Sequence, residues 1–157
     1  MLNREEQVEE VRRVLRRLTS EIDALDARAA RRFGVNRSDL ACLDALGARG
    51  PLTPSDLARA ARLSSGGLSI ALERLERAGL VRRRPNPADR RSVIVDMTQQ
   101  ARRTARRVFG PLAGRERELL GRYDEQSLEV IRSFIAGWTE ILTDHLAESA
   151  SGTDAAG

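Results

Sequence analysis

Apolar residues recur at alternating gaps of three and four along the first part of the chain. The series is Val8, Val11, Leu15, Leu18, Ile22, Leu25, Ala29 and Phe33, and Gly34 follows it. This spacing places every member on one stripe of an amphipathic helix of about eight turns. Such a long helix cannot bury its whole stripe against one small domain. The pattern therefore predicts that a second chain covers part of the stripe.

Three short helical patterns follow, separated by brief turns that contain Gly or Ser. Their candidate N-caps are Asn36 or Ser38, then Thr53, then Ser64 or Ser65. Oxygens of these side chains accept hydrogen bonds from the free N–H groups of a first helical turn. Pro54 suits the first position of the second helix, where its missing N–H costs nothing. Three short helices in this arrangement predict a helix-turn-helix.

A hairpin pattern comes next, in VRRRPNPADRRSVIVDMT (81–98). PNPAD turns the chain, and the β-branched run SVIVDM predicts the returning strand. Thr98 is the candidate cap of a further helix, in which Gly110-Pro111 predicts a kink. A last helix is predicted from near Asp124, with Leu128, Ile131, Ile135, Trp138, Leu142 and Leu146 at helical spacing.

The distribution of charge along the chain indicates which class of partner the protein binds. All 27 basic residues are arginine, and the net charge is +4. Residues 59–107 hold 13 arginines and four acids, a balance of +9, and the remainder holds 14 arginines and 19 acids, a balance of −5. A central segment of one sign between acidic flanks is typical of a protein that binds nucleic acid.

The third short helix places its apolar and polar residues on opposite faces. At about 100° per residue, Leu68, Leu72 and Leu75 form the core face. Ile70 lies on the other face, which also carries Gly66, Glu73, Arg74 and Arg77. Two interpretations of Ile70 stay open: a single exposed apolar residue, or a contact with a thymine methyl group in the major groove.

Polar residues on and before the same helix are candidates for contacts with DNA. Arg74, one turn after Ile70, is a candidate for binding guanine or phosphate. Gly66 allows a phosphate close to the helix N-terminus, where free N–H groups favour an anion. Ser64, Ser65 and Ser69 add hydroxyl donors to the same region.

Five arginines flank the turn of the hairpin, and they indicate an anionic partner. They are Arg82, Arg83, Arg84, Arg90 and Arg91. We predict that Arg90 enters the minor groove, where negative potential attracts arginine. Asp89 has two interpretations: it pairs with a neighbouring arginine and orients it, or it simply favours the turn.

The segment LSSGGLSIALERLERAGLVRRRPNPADRRSVIVDMT (63–98) resembles the recognition helix and wing of the MarR family of winged helix-turn-helix bacterial regulators. LTPSDLARAARL (52–63) resembles the preceding helix, and the likeness extends over residues 8–146. The resemblance implies that Ser69, Ile70 and Arg74 contact DNA and that Asp89 and Arg90 form a salt-bridged pair inserted in a groove. SSGG at the helix start departs from the family, which often has a proline and fewer glycines there.

The predicted fold class is therefore mainly α with a small β-hairpin wing, a winged helix-turn-helix plus a helical dimerisation bundle. The predicted segments are an N-terminal dimerisation helix (1–34), the DNA-binding domain (35–98), C-terminal dimerisation helices (99–147) and a tail (148–157). We predict that the tail is disordered, because SASGTDAAG is small and polar.

The predicted function is a sequence-specific transcriptional regulator that binds double-stranded DNA as a homodimer on a pseudo-palindromic operator. The resemblance adds a small-molecule effector as a further partner. The candidate DNA-contacting residues are Ser64, Ser65, Gly66, Ser69, Ile70, Arg74, Arg77, Arg84, Asp89, Arg90 and Arg91. Two alternatives stay open: a protein-interaction module without DNA binding, and a regulator that senses oxidants through Cys42.

Other classes of function have no support in the sequence. No nucleophile–base pair, phosphate-binding loop or pair of catalytic acids stands out, so we predict neither an enzyme nor a cofactor. His145 is the only histidine, which leaves no multi-histidine metal site. No apolar run approaches the roughly 18 residues of a membrane span. The lone cysteine suits a reducing compartment, and we predict a cytoplasmic protein.

Overall fold

The computed structural model describes residues 3–89 and 91–153. The elements in these ranges are α1 (Arg4–Phe33), α2 (Arg37–Arg49), α3 (Pro54–Ala61), α4 (Ser65–Arg77), β1 (Val81–Pro85), β2 (Val93–Met97), α5 (Gln99–Leu120) and α6 (Glu125–Thr153). They fall into two compact units, Met1–Gly110 and Pro111–Gly157. The boundary lies inside α5, at the Gly110-Pro111 pair for which the sequence predicts a kink.

Local hydrogen bonds fix both ends of α1. The Asn3 side chain accepts from the Glu6 backbone N–H at 2.9 Å, and the Glu6 carboxylate accepts from the Asn3 N–H at 2.8 Å. This reciprocal cap satisfies two donors of the first turn. Gly34 ends the helix with φ +69°, a left-handed conformation that glycine adopts without a steric cost.

The three predicted short helices are present with the predicted type of cap. Asn36 accepts from the Asp39 backbone N–H at 2.9 Å, Thr53 from Asp56 at 3.2 Å, and Ser64 from Gly67 at 3.1 Å. Pro54 occupies the first turn of α3. The predicted helix-turn-helix is thereby confirmed, with Asn36 and Ser64 as the caps among the alternatives.

The predicted hairpin is confirmed as an antiparallel pair of strands. Arg82 lies opposite Asp96 and Arg84 opposite Ile94. Leu52, between α2 and α3, adds a bridge to Val95, with N···O distances of 2.7 and 3.1 Å. The hairpin is therefore attached to the helix-turn-helix through the backbone as well as through side chains.

One apolar core holds α4 and the hairpin in a fixed relation. Leu68, Leu72 and Leu75 of α4 are at most 4% exposed, as their spacing predicts. They share the core with Ala71 of the same helix, with Leu80 just before β1, and with residues of α2, α3, both strands and the first turn of α5. These residues are Cys42, Leu43, Leu46, Leu57, Ala61, Val81, Val95, Met97 and Ala101. Burial of this much aliphatic surface is the main force that positions the exposed face of α4.

Among the described residues, the stripe of α1 is covered best at its C-terminal end. Ala29 is fully buried and Phe33 packs on the core. Four members of the stripe, Val8, Val11, Leu18 and Ile22, remain exposed over 47 to 53% of their surface, and Val14 beside the stripe is 56% exposed. The exposed part of the stripe has the composition of a core face, which agrees with the prediction of a second chain.

In the second unit, α6 begins at the Asp124 cap and runs through Thr153, beyond the predicted boundary at residue 147. The predicted disorder of the tail is therefore wrong for 148–153, and residues 154–157 lie outside the described chain. Apolar side chains span about 160° around α6. Ile135, Trp138 and Ile141 are 57, 42 and 59% exposed. None of the described helices is long and apolar enough to cross a bilayer.

Asp44 on α2 makes stability depend on pH. Although its side chain lies at the surface, desolvation by the surrounding protein and the charge of Asp26 raise its pKa to about 6. The folded state then binds more protons than the unfolded state between about pH 4 and pH 6, so the free energy of unfolding falls as pH rises through this window. We expect Asp44→Asn to stabilise the protein at pH 7 by about 1 kcal/mol after allowance for solvent screening, and not at pH 3.5.

Urea unfolding at both pH values measures this difference. Asp23→Asn is the matched control, because Asp23 accepts a hydrogen bond from Arg37 at 3.0 Å and its loss brings no gain at pH 7. Equal stabilisation by Asp44→Asn at pH 3.5 and pH 7 would refute the titration as the cause.

Candidate nucleic-acid interface

The exposed face of α4 carries the candidate contacts with DNA. Ile70 is 57% exposed, whereas Leu68 and Ala71 close to it along the helix are buried in the core. Ser65, Gly66, Ser69 and Arg77 are exposed with it. Apart from its chain neighbours and its own helix backbone, a methyl group added at Gly66 would meet no atom of the described residues within 4 Å, so packing among them does not require glycine there. The sequence prediction that Ile70 has no core to enter is confirmed.

Arg74, the candidate for binding guanine or phosphate, forms an ion pair within the protein. Its Nε and Nη2 donate to the two oxygens of Asp39 at 3.0 and 2.6 Å. The Asp39 side chain is 4% exposed and that of Arg74 is 38% exposed. This bidentate pair ties α4 to α2 and fixes the plane of the guanidinium. A contact of Arg74 with a base or phosphate is thereby limited to the donors that Asp39 leaves free.

Arg77, one turn further along α4, forms an ion pair that is exposed to solvent. Its Nη2 lies 2.7 Å from the Glu73 carboxylate, and both side chains are 70% exposed. A solvated pair of this kind holds its partners weakly, so Arg77 remains available to an external anion.

A network around Asn86 closes the tip of the wing. The Asn86 N–H donates to the Ser92 carbonyl and its Nδ2 donates to the Ser92 hydroxyl, both at 3.0 Å. Its Oδ1 accepts from the Ala88 N–H at 3.0 Å. Proline on either side of Asn86 restricts the backbone further. The turn that presents the wing arginines is therefore held by hydrogen bonds rather than by core packing.

Asp89 takes part in this turn. Its Oδ1 accepts from the Arg91 backbone N–H at 3.0 Å, and its carbonyl accepts from the Ser92 N–H at 3.0 Å. These bonds favour the interpretation of Asp89 as a turn-forming residue. Arg90 lies outside the described residues. Its insertion in the minor groove and its pairing with Asp89 stay predictions.

The strand arginines pair with Glu76 and Asp96, which were not among the predicted site residues. Arg83 lies 3.1 Å from Glu76 of α4. Arg82 and Arg84 face the buried Asp96, at 3.8 and 3.5 Å. The hairpin register places Asp96 opposite Arg82. Aligning the two predicted strands on either side of the turn would therefore have identified this contact. Asp39 gave no such signal, because 35 residues separate it from Arg74.

A hollow of about 170 Å³ lies between α3, α4 and the wing. Ser55, Ser65, Ser69 and Arg83 give it a polar rim over apolar walls. Three hydroxyl groups and a guanidinium on one concave surface suit an anionic group such as a phosphate. The predicted contacts Ser65 and Ser69 thus share one surface, and Arg83 joins them.

Cys42 lies in the core, with no exposed surface. Burial, and next the charge of Asp39, raise its pKa to about 11. The reactive form of cysteine is the thiolate, which is scarce at neutral pH under these conditions. The environment of Cys42 is therefore that of a structural cysteine. Among the described residues, no three His, Cys, Asp or Glu side chains are grouped as a metal site would require.

Comparison with known proteins identifies the family. A family model described as MarR family matches residues 33–92. The uncharacterized HTH-type transcriptional regulator YcgE of Bacillus subtilis (strain 168) is 33% identical over 118 residues, which cover 75% of this chain and 77% of that protein. The chain belongs to the MarR family. It is accordingly a helix-turn-helix transcriptional regulator and not an enzyme.

Further members show similar sequence or fold. The HTH-type regulator PecS of Dickeya dadantii (strain 3937) is 32% identical over 107 residues, 68% of this chain and 62% of PecS. A MarR family protein from Bacillus stearothermophilus has a TM-score of 0.62 at 18% identity, covering 91% of this chain and 99% of its own. A mutant of S. aureus MepR bound to an oligodeoxyribonucleotide has a TM-score of 0.54 at 20% identity, covering 85% and 96%. These two structures share the winged helix-turn-helix fold.

Proposed function

We propose that this MarR-family regulator acts in the cytoplasm, where it binds double-stranded DNA as a homodimer on a pseudo-palindromic operator. In this arrangement α4 of each subunit enters a major groove, and the wings lie at the flanks. The exposed face of α4, an isoleucine among hydroxyl and arginine side chains, carries the proposal. The oligonucleotide bound to the structurally similar MepR mutant supports it.

The proposed contacts fall into two groups. Ile70 contacts a thymine methyl group and so contributes to sequence preference. Phosphate contacts and groove positioning are proposed for Ser64 at the cap of α4, for Ser65, Gly66, Ser69 and Arg77 of α4, and for Arg84, Arg90 and Arg91 of the wing. Asp89, whose carboxylate would repel a phosphate, is proposed to act at the wing by holding the turn that presents its arginines. Phosphate contacts supply affinity and register, and contacts with base edges supply specificity.

Dimerisation is proposed from apolar surface that the single chain leaves uncovered. Both α1 and α6 present such surface, and each is amphipathic along its length. Two identical subunits related by a two-fold axis place two α4 helices on successive half-sites.

We further propose, on the basis of the family, that a small-molecule effector binds this protein and regulates it. The test adds each member of a panel of aromatic and aliphatic acids to the wild-type protein bound to DNA and measures whether the DNA is released.

Ile70→Ala tests the contact with base edges. We expect it to lower the preference for the selected operator over scrambled duplex by about 1 kcal/mol per half-site, because one apolar base contact is lost. The salt dependence of binding should not change, because no charge is removed. Fluorescence anisotropy with both duplexes, over a series of salt concentrations, measures the two quantities.

Arg77→Gln is the matched control on the same face. It should weaken binding to both duplexes alike and lower the slope of log K against log salt by about one per subunit. Equal loss on both duplexes by Ile70→Ala would contradict the base contact. Failure of the wild-type protein to bind any duplex at either low or moderate salt would instead favour the protein-interaction alternative.

A further inference from the structure

Asp96 is a buried acid on a strongly basic hairpin. It is 6% exposed and lies on β2, in register with Arg82 on β1. Arg84, two residues further along β1, shares this face of the hairpin, because side chains alternate along a strand. Arg83 takes the opposite face, where it pairs with Glu76. Alternation thus sorts the three strand arginines into two groups with different acids.

A third arginine reaches the same carboxylate from α5. Nη2 of Arg102 donates a hydrogen bond to Oδ1 of Asp96. The other oxygen, Oδ2, lies 3.5 Å from Nε of Arg84 and 3.8 Å from Nη2 of Arg82. Three guanidinium groups therefore surround one carboxylate, with a summed charge of +2. We name these four residues the Asp96 cluster.

The arginines of the Asp96 cluster remain accessible although the acid is buried. Their side chains are 64% exposed for Arg82, 36% for Arg84 and 40% for Arg102. Nε of Arg84 is the exception, since it is buried and has no hydrogen-bond partner among the described residues. The exposed surface of Arg84 therefore lies on its other atoms. Each arginine keeps donors that the single carboxylate cannot satisfy.

We propose that the Asp96 cluster is a phosphate-binding site for the DNA backbone and that Asp96 is its positioning residue. The inference rests on the proposed DNA binding and adds Arg82 and Arg102 to its contacts. Without the carboxylate, three like charges close together repel one another and the side chains spread into solvent. With it, they are held on one surface as a group of net positive charge, which is the arrangement that a phosphodiester requires.

The decisive variant is Asp96→Asn, which is nearly isosteric. If net charge alone determined affinity, Asp96→Asn would bind any duplex more tightly, because an acid is removed from a DNA-binding surface. Positioning predicts the opposite: about tenfold weaker binding to the duplex that the wild-type protein selects from a random library, with a smaller salt slope. Glu125→Gln removes the same charge from the start of α6 and should not weaken binding.

A double-mutant cycle separates positioning from a purely structural role. If Asp96 acts through the arginines, Asp96→Asn should cost clearly less affinity in the Arg82→Gln/Arg84→Gln background than in the wild-type protein. If Asp96 only stabilises the fold, the losses of DNA affinity caused by the separate substitutions should add when they are combined. A lower melting temperature should then fully explain the weaker binding of Asp96→Asn. Additive losses, or tighter binding by Asp96→Asn, would overturn the proposal.

Arg82→Gln/Arg84→Gln keeps the inference testable even if Asp96→Asn does not fold, since it retains the bond between Asp96 and Arg102. We expect the salt slope to fall by about two per subunit. Arg103→Gln, next to Arg102 on α5, is the single-charge control. An unchanged salt slope in the double variant would reject the Asp96 cluster while wild-type binding stands. Absence of wild-type binding would reject the proposed function itself.

Discussion

Arg74→Met is expected to destabilise the folded protein severely, through the acid that it leaves behind. The Asp39 side chain is 4% exposed and both of its oxygens accept from Arg74. A buried carboxylate deprived of its cation costs about 3 kcal/mol in the free energy of unfolding. Urea unfolding at neutral pH measures the loss. The substitution also loosens α4 against α2, so DNA binding should weaken with it.

Arg77→Met is the matched control on the same helix. Its partner Glu73 is solvated, and the change should cost at most about 0.5 kcal/mol. The double variant Asp39→Leu/Arg74→Met should recover most of the lost stability, because an apolar pair of similar volume often replaces a buried ion pair without loss. Equal losses of stability in Arg74→Met and Arg77→Met would show that the buried pair with Asp39 contributes no more to the free energy of unfolding than the solvated pair with Glu73.

Ile135→Glu is expected to convert the proposed dimer into monomers. Ile135 is 57% exposed in the single chain, so a charge there should hardly affect the folding of one subunit. In an interface formed by the apolar face of α6, the same carboxylate would be buried without a partner, at a cost of several kcal/mol. Sedimentation at micromolar concentration should show a mass near 17.4 kDa instead of about twice that value.

Binding to an operator with two half-sites should then weaken by at least about a hundredfold, because the second recognition helix no longer binds intramolecularly. Ala136→Glu is the control. It introduces the same charge one residue later, on the exposed polar side of α6, and should leave both mass and affinity unchanged. A dimer that persists in Ile135→Glu would exclude this face of α6 from the interface.

Local chemistry in the sequence was enough to predict the elements of the fold. The alternation of three- and four-residue gaps predicted α1. The starts of three helices were predicted from Asn36 or Ser38, from Thr53, and from Ser64 or Ser65, and the structure selects Asn36 and Ser64 among the alternatives. PNPAD located the turn between the two strands. These features act over a few residues, through hydrogen bonds and helical geometry that the neighbouring residues define. The exposure of Ile70 followed from the same geometry.

The end of α6 was predicted less well, because small polar residues are compatible with a helix as well as with disorder. The chain continues as a helix through Thr153. Composition alone does not distinguish a polar segment that extends an existing helix from one that would have to nucleate a new one. Extension fixes one residue at a time, and nucleation is the costly step.

The ion pairs of the site were decided by tertiary structure. The chain contains 27 arginines and 23 acids, and the sequence permits each arginine many partners. Packing of α2 against α4 selects Asp39 for Arg74, and the hairpin register together with α5 selects Asp96 for three arginines. Charge attraction between solvated groups is weak and unselective at a distance. Only the core, by burying an acid at a fixed point, determines which arginines are ordered around it.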